Sequence, residues 1–145
     1  MFRLNAIYFV VVLLALAGPA VALDYDTGRA AYDRGDYITA LQEWRPLADQ
    51  GHASAQANLG LMYEKGHGVT KDYDEALKRY RAAAGQGDAI GQAGLGAMYA
   101  NGDGVPKDYG AARKWFRRAA DRGNARAQAG LGTMYLSGLG IPQNY

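Results

Sequence analysis

The side chains that could carry out covalent or metal chemistry are few and scattered in this sequence. Serine occurs only at Ser54 and Ser137, cysteine is absent, and the histidines are His52 and His67. A nucleophile needs an adjacent base, and a metal site needs several donors at a defined spacing. Because none of these residues stands in such a pattern, we predict no enzyme activity, no metal site and no cofactor.

Arginine offers the clearest binding chemistry. Arg45, Arg81 and Arg117 are spaced 36 residues apart, which predicts a ladder of guanidinium groups along successive helices. Guanidinium groups pair with carboxylates, so the ladder favours a clamp for an extended segment of a protein partner in a concave groove. A second interpretation is equally compatible with the spacing, namely a solvated stripe whose arginine stems cover apolar neighbours.

Positive charge is densest around Arg117. Trp115 lies in the same region and is either an aromatic anchor for a partner or part of the helix packing. The predicted partner-binding residues are Arg45, Arg81, Arg117, Arg113, Trp115 and Arg118. Outside the first 22 residues, which contain Arg3, 15 Lys and Arg stand against 14 Asp and Glu. This balance lacks the strongly positive character that phosphate backbones select, so we predict no nucleic-acid partner.

These arginines are carried by a repeated segment. Tyr73–Asp108 aligns with Tyr37–Asp72 and Tyr109–Asn144, and 14 positions are identical in all three copies. A fixed period of this length is typical of solenoids. Within each copy, apolar residues recur at helical spacing on both sides of a glycine turn. The sequence therefore predicts an all-α fold, a short right-handed superhelical solenoid of helix-turn-helix repeats.

Local signals mark where the helices begin and how they pack. An Asp or Asn precedes each repeated tyrosine and is expected to cap the first helix, and Asp72 with Glu75 predicts a full capping box. Gly60 recurs as Gly96 and Gly132 inside the second helix. Because a helical glycine costs roughly 0.8–1 kcal/mol relative to alanine, its recurrence predicts that a neighbouring backbone lies too close for a side chain.

The two ends of the chain differ from the repeats. Ala6–Ala17 is an apolar run followed by Gly18-Pro19 and by the small residues Ala20-Val21-Ala22, which predicts a signal peptide cut between Ala22 and Leu23. The protein is then periplasmic or secreted, and it contacts a membrane only if this segment stays uncleaved. The predicted organisation is signal peptide 1–22, N-terminal half-repeat (capping helix) 23–36, and repeats 37–72, 73–108 and 109–144.

The last repeat is followed by no complete neighbour in this sequence. Leu131, Met134 and Tyr135 are therefore expected to form an open end that a second copy or a partner covers, unless the chain is part of a longer array. Fully burying each such side chain stabilises by roughly 1.5–3 kcal/mol. End-to-end self-association is one predicted outcome.

The repeated motifs closely resemble those of the Sel-one-like repeat family, a relative of the tetratricopeptide repeat. The resemblance is carried by Gly87–Val105 and Ala112–Ala120, and it extends over residues 37–144. It implies an α-solenoid that acts as an adaptor or regulator by binding other proteins, and many such proteins are exported in bacteria. A cysteine-rich subgroup has been linked to β-lactam binding or hydrolysis, but this chain lacks the cysteines.

The function predicted from residues and resemblance together is that of an exported, non-enzymatic scaffold. It would engage a protein partner through the concave face lined by the first helices, or through the open C-terminal end. One alternative is a β-lactamase-like enzyme, which turnover of nitrocefin would reveal. Another is an immunity-type inhibitor, which a tight one-to-one complex with a silenced toxin would reveal.

Overall fold

The computed structural model describes residues 22–141, and these residues form seven α-helices. The predicted signal peptide, residues 1–22, lies outside the described part except for Ala22. No helix within residues 22–141 is long and apolar enough to cross a membrane. The helices are α1 Tyr25–Asp33, α2 Tyr37–Asp49, α3 Ala53–Lys65, α4 Tyr73–Gly85, α5 Ala89–Asn101, α6 Tyr109–Ala120 and α7 Ala125–Leu136.

The helices stack in chain order as an all-α solenoid. The first helices of the three repeats are α2, α4 and α6, and the second helices are α3, α5 and α7. Helix α3 packs between α2 and α4, and α5 packs between α4 and α6. The second helices also contact one another directly, α3 with α5 and α5 with α7. Helix α1 packs on α2, in the place that a preceding second helix would occupy.

The helix starts follow the predicted capping chemistry, with one exception. The aspartates before α2, α4 and α6 each accept a hydrogen bond from a first-turn N–H group. The reciprocal half of the capping box predicted at Asp72 is wrong. The N–H group of Asp72 donates to the carbonyl of Tyr63 at 3.0 Å, and the Glu75 carboxylate pairs with Arg79 at 2.8 Å. Both groups are therefore already engaged elsewhere.

One large aromatic ring per repeat fills the space between neighbouring helix pairs. These rings are buried and belong to Trp44, Tyr80 and Phe116. A Cβ atom added to Gly60 would lie 2.9 Å from the Tyr80 ring, and one added to Gly96 would lie 2.5 Å from the Phe116 ring. The helical glycines therefore make room for a ring of the following first helix. The prediction that a neighbouring backbone requires them is wrong.

The half-repeat is fixed to the first repeat through Trp44. The Trp44 indole N–H donates to the carbonyl of Tyr25 at 3.0 Å, and the Tyr25 ring stacks on the indole with 5.9 Å between ring centroids. A Cβ atom added to Gly28 would lie 2.5 Å from the indole nitrogen. Helix α1 is thus positioned by the same kind of glycine–ring contact that joins the full repeats.

Candidate functional site

Four side chains of α6 surround an open cleft of about 360 Å³, which we call the α6 cleft: Arg113, Lys114, Trp115 and Arg118. Lys114 and Arg118 are exposed, whereas Phe116 on the same helix is buried. At 100° per residue these exposed positions lie on the side of the helix away from Phe116. Helix α6 therefore packs one side into the core and presents the cationic side to solvent.

Trp115 has both of the roles that the sequence left open. It is half-buried and packs against the apolar cluster that contains Ala76, Leu77 and Tyr80. Its ring also lines the α6 cleft, and the Arg118 guanidinium lies 4.9 Å from the ring centroid. A cation placed over a tryptophan ring is held there by the ring quadrupole. The packing fixes the ring, and the ring in turn orients Arg118 at the cleft.

The cations of the α6 cleft have no acidic partner among the described residues. Within residues 22–141, no carboxylate oxygen lies within 4.0 Å of a side-chain nitrogen of Arg113, Lys114 or Arg118. Asp108 lines the same cleft, but its Oδ1 accepts the N–H group of Ala111 at 2.9 Å and caps the helix. The cleft can therefore accept carboxylates from outside the chain.

The structure does not gather the three repeated arginines at this cleft. Arg45, Arg81 and Arg117 are all exposed, on α2, α4 and α6 respectively. Their helices pack chiefly against second helices. Arg117 donates to the Tyr135 hydroxyl of α7 at 3.1 Å and is not among the residues that line the cleft. The hypothesis that these three residues clamp a partner stays a prediction.

The two histidines contribute to packing and capping. His52 caps α3, where its Nδ1 accepts the N–H group of Ala55 at 3.2 Å. The His67 ring stacks on Tyr37 with 4.4 Å between centroids, and its Nδ1 is hydrogen-bonded to the Tyr32 hydroxyl at 2.8 Å. In the described part of the chain, no group of three or more His, Cys, Asp or Glu side chains is placed to hold a metal ion.

Sequence reasoning missed a charged cluster that joins all three repeats. Arg126 of α7 contacts Glu64 of α3 through two hydrogen bonds of 2.7 and 3.1 Å, and the Tyr80 hydroxyl of α4 also donates to Glu64. The Glu64 side chain is 8% exposed. A signal was present in the sequence, because Glu64 stands where the other repeats have Ala100 and Leu136.

The cluster keeps Glu64 ionised inside the stack. Burial by itself raises the pKa of this carboxyl, but the hydrogen bonds and charge of Arg126, with the Tyr80 hydroxyl, outweigh burial and hold the pKa below its ordinary value. Burial raises the pKa of Tyr80, and the Glu64 carboxylate adds to that shift. Tyr80 therefore acts as a neutral donor to a charged pair.

The structure places the three residues of the predicted open end in different surroundings, and the open end itself stays a prediction. Tyr135 is 49% exposed and Leu136 is 92% exposed. Leu131 is half-buried and packs with the cluster that contains Phe116. Met134 does not lie on the open face as expected: it is 4% exposed and packs in the same cluster. Among the described residues of α7, the exposed large apolar side chains are therefore Tyr135 and Leu136, and of these only Tyr135 was predicted.

Glycine at one repeat position provides a matched test of this packing. A Cβ atom added to Gly96 would meet the Phe116 ring, whereas one added to Gly132 has no atom within 4 Å among the described residues. We expect Gly96→Ala to lower the free energy of unfolding. Gly132→Ala should raise it by about 0.5–1 kcal/mol, because alanine favours the helix. Urea denaturation followed by circular dichroism measures both, and equal changes of one sign would contradict the assignment.

A comparison with protein families decides the classification. The Sel1 repeat model matches residues 53–88, 89–124 and 125–145. This chain belongs to the Sel1 repeat family. Each matched segment begins at a second helix, so its frame is offset from the frame that starts at Tyr37, while the full matches keep the 36-residue period. Sel1 repeats generally mediate protein–protein interaction, and Sel1 repeat scaffolds are typically non-catalytic.

Two solved Sel1-type structures are similar to this chain. One is c5321, a protective antigen present in uropathogenic Escherichia coli strains that displays an SLR fold. It is 41% identical with a TM-score of 0.71, over 83% of this chain and 27% of that protein. A Sel1 repeat protein from Oxalobacter formigenes is 34% identical with a TM-score of 0.72, over 84% of this chain and 50% of that one. This chain thus matches half or less of the length of these proteins. A comparison with curated proteins gives no match.

Proposed function

We propose that this Sel1 repeat protein is an exported, non-enzymatic scaffold that binds an acidic segment of a protein partner at the α6 cleft. The observation that carries the proposal is the grouping of Arg113, Lys114 and Arg118 around Trp115 without an acidic partner in the described chain. Arginine and tryptophan are the residue types that contribute most to binding energy at protein interfaces. The family's general role in protein–protein interaction supports the same function.

The chemistry of the cleft defines the kind of segment it would bind. Arg113 and Arg118 offer planar guanidinium groups that bind carboxylates through paired hydrogen bonds, and Lys114 adds a point charge. The exposed part of the Trp115 ring offers apolar area to a neighbouring side chain. A segment with two or three Asp or Glu residues around one apolar residue matches this arrangement.

Charge distribution along the chain favours this end of the molecule. Residues 109–144 contain six Lys and Arg against one Asp, a net charge of +5, whereas residues 73–108 contain four Lys and Arg against five Asp and Glu, a net charge of −1. An acidic partner is therefore steered toward the third repeat rather than toward the second.

Affinity capture with charge-reversed variants tests the proposal. The bait is the chain from Leu23 to Tyr145, which holds all seven helices, and the source is an envelope extract. We expect a stoichiometric partner to be captured by the unchanged bait, and its capture to fall about tenfold or more with Lys114→Glu/Arg118→Glu. The matched control is Arg45→Glu/Arg81→Glu, which reverses two exposed arginines on α2 and α4 and should leave capture unchanged.

Each other outcome of the capture contradicts part of the proposal. Loss of the partner only with Arg45→Glu/Arg81→Glu would place binding on the repeated arginines instead of the α6 cleft. Capture by all three baits would exclude both sites, and capture by none would contradict the scaffold function. Export is tested on the same protein: its intact mass, measured after purification from the envelope, should correspond to a chain that begins at Leu23.

A further inference from the structure

A second cleft lies on the other side of α6 from the α6 cleft. It has a volume of about 440 Å³ and opens between α5, α6 and α7, and we call it the α5–α7 cleft. Its apolar wall includes Ala97, Ala100, Phe116 and Met134, and Lys107 stands among its lining residues. Phe116 and Met134 are each 4% exposed, so the wall belongs to the fixed core.

At the equivalent positions one repeat earlier, larger side chains occupy the volume that corresponds to the α5–α7 cleft. In the 36-residue frame, Leu61 stands for Ala97, Glu64 for Ala100 and Tyr80 for Phe116. The Leu61 side chain packs against the cluster that contains Tyr80, and the Tyr80 hydroxyl donates to Glu64. Arg126 then joins Glu64 from α7. In the α5–α7 cleft, Ala97 and Ala100 replace the larger Leu61 and Glu64, and Phe116 lacks the hydroxyl of Tyr80. These differences leave an unfilled volume with an apolar wall.

The α5–α7 cleft also has fewer carboxylates around its lysine than the corresponding position one repeat earlier. Lys71 stands one repeat before Lys107, and Tyr73, Asp103 and Glu64 are near enough to raise the pKa of Lys71, Tyr73 having the largest effect. The counterparts of Asp103 and Glu64 are Leu139 and Ala100, which carry no charge. Among residues 22–141, no carboxylate oxygen lies within 4.0 Å of the Lys107 amine.

We infer that the α5–α7 cleft binds a partner segment that carries one large aliphatic side chain beside a carboxylate. The aliphatic side chain takes the volume that Leu61 fills one repeat earlier, and the carboxylate pairs with Lys107, which lines the cleft. Burial of the aliphatic group against Phe116 and Met134 supplies most of the affinity, and the ion pair sets its orientation. This inference rests on the proposed protein-binding function and adds a second contact site to it.

A titration with a defined peptide tests the inference. The probe is acetyl-Asp-Glu-Leu-Glu-Asp-amide, added to the Leu23–Tyr145 chain labelled with ¹³C at the methionine methyl groups. Met134 lines the cleft, whereas Met62 is buried in the first repeat, so the Met134 methyl signal should shift and the Met62 signal should not. Replacing leucine by alanine in the peptide should weaken the binding that the Met134 shift reports about tenfold or more.

Two variants and one control locate the contact. Ala97→Leu fills the cleft with the residue that the first repeat has at this position, so the fold should persist while the binding that the Met134 shift reports falls about tenfold or more. Lys107→Glu should weaken binding as well, whereas Lys114→Glu, the same charge reversal in the α6 cleft, should leave the Met134 shift intact. Circular dichroism checks that each variant is folded.

The results that overturn the inference differ from those that overturn the proposed function. No Met134 shift, equal titration of the Met134 signal by the leucine and alanine peptides, or an unchanged Met134 titration in folded Ala97→Leu would each exclude this cleft as a site. Loss of the captured envelope partner with Lys114→Glu/Arg118→Glu would still support the α6 cleft in all three cases. A Met134 shift that survives Lys107→Glu would contradict the proposed carboxylate contact.

Discussion

Arg126→Ala is expected to lower the free energy of unfolding by about 2–3 kcal/mol near neutral pH. The substitution leaves the Glu64 carboxylate buried without its two charge-assisted hydrogen bonds. Breaking a fully buried pair in this way costs ~3–5 kcal/mol. The expected loss for Arg126→Ala is smaller than this because the Arg126 side chain is 36% exposed and because the Lys65 amine remains 3.5 Å from the Glu64 carboxylate. Urea denaturation followed by circular dichroism measures the loss.

The pH dependence of this loss identifies its cause. In the unchanged protein the folded-state pKa of Glu64 is lowered, so its contribution to stability is present above the unfolded-state pKa of about 4.3 and is lost as pH falls through the folded-state value. Without Arg126, burial raises the folded-state pKa, and stability is lost as pH rises through it. The difference between the two proteins should therefore shrink as the pH falls toward and below the folded-state pKa of Glu64 in the unchanged protein.

Controls separate the charge from the loss of side-chain contacts. Arg122→Ala, which truncates an exposed arginine in the preceding turn, should change the free energy of unfolding by less than about 0.5 kcal/mol. The double substitution Glu64→Leu/Arg126→Met removes both charges and should recover part of the lost stability, because the Tyr80 hydroxyl then lacks its acceptor. A pH-independent loss in Arg126→Ala would contradict the assigned role of the pair.

Trp44→Ala is expected to have the largest effect of any single truncation, a loss of about 3–5 kcal/mol. Trp44 is 1% exposed and is among the largest fully buried side chains. Its ring fills the space under Gly28, and its N–H group holds the Tyr25 carbonyl, so the truncation also removes the contact that fixes α1. Urea denaturation gives the loss, and hydrogen exchange of residues 25–33 should show that α1 opens before the rest.

The second tryptophan of the chain is the matched control. Trp115 is half-buried at the edge of the α6 cleft, so Trp115→Ala should cost less stability than Trp44→Ala while reducing capture of the partner. Trp44→Phe keeps a ring of the kind that Phe116 supplies in the third repeat, so it should cost less than Trp44→Ala although it loses the hydrogen bond to Tyr25 and part of the buried ring volume. Equal losses from Trp44→Ala and Trp115→Ala would contradict the packing described for α1.

Most of the fold could be predicted from the sequence because the same pattern occurs three times, so a signal that is weak in one copy is supported by the other two. Three copies of one spacing identify the same two helices, the same turn glycine and the same cap. The capping box failed for two reasons. Glu75 pairs with Arg79 one helical turn further on, a competing local pair, and the N–H group of Asp72 donates to the Tyr63 carbonyl of the preceding helix, a contact that spacing within α4 does not reveal. The reason for the recurring glycine was also missed, because the ring that requires it lies about 20 residues further along the chain.

The candidate site was predictable only where it lies within one helix. Arg113, Trp115 and Arg118 are close in the sequence, so helix geometry alone brings them to one region. Glu64 and Arg126 are 62 residues apart, and each departs from its own repeat position, so the repeat gives no information on their contact. The α5–α7 cleft likewise depends on Ala97 and Ala100, which are smaller than their counterparts Leu61 and Glu64. The sequence shows the difference in size, but only the packed structure shows that the volume is left unfilled.

Photo-cross-linking at Lys114 tests the central claim, binding of a protein at the α6 cleft, most directly. A photoreactive amino acid replaces Lys114 in the protein produced in its own cells, and the control carries the same replacement at Lys78. Lys78 is an exposed lysine at the same repeat position of α4. We predict a discrete cross-linked partner from position 114 and none from position 78. Equal cross-linking at both positions, or none at position 114, would contradict the claim.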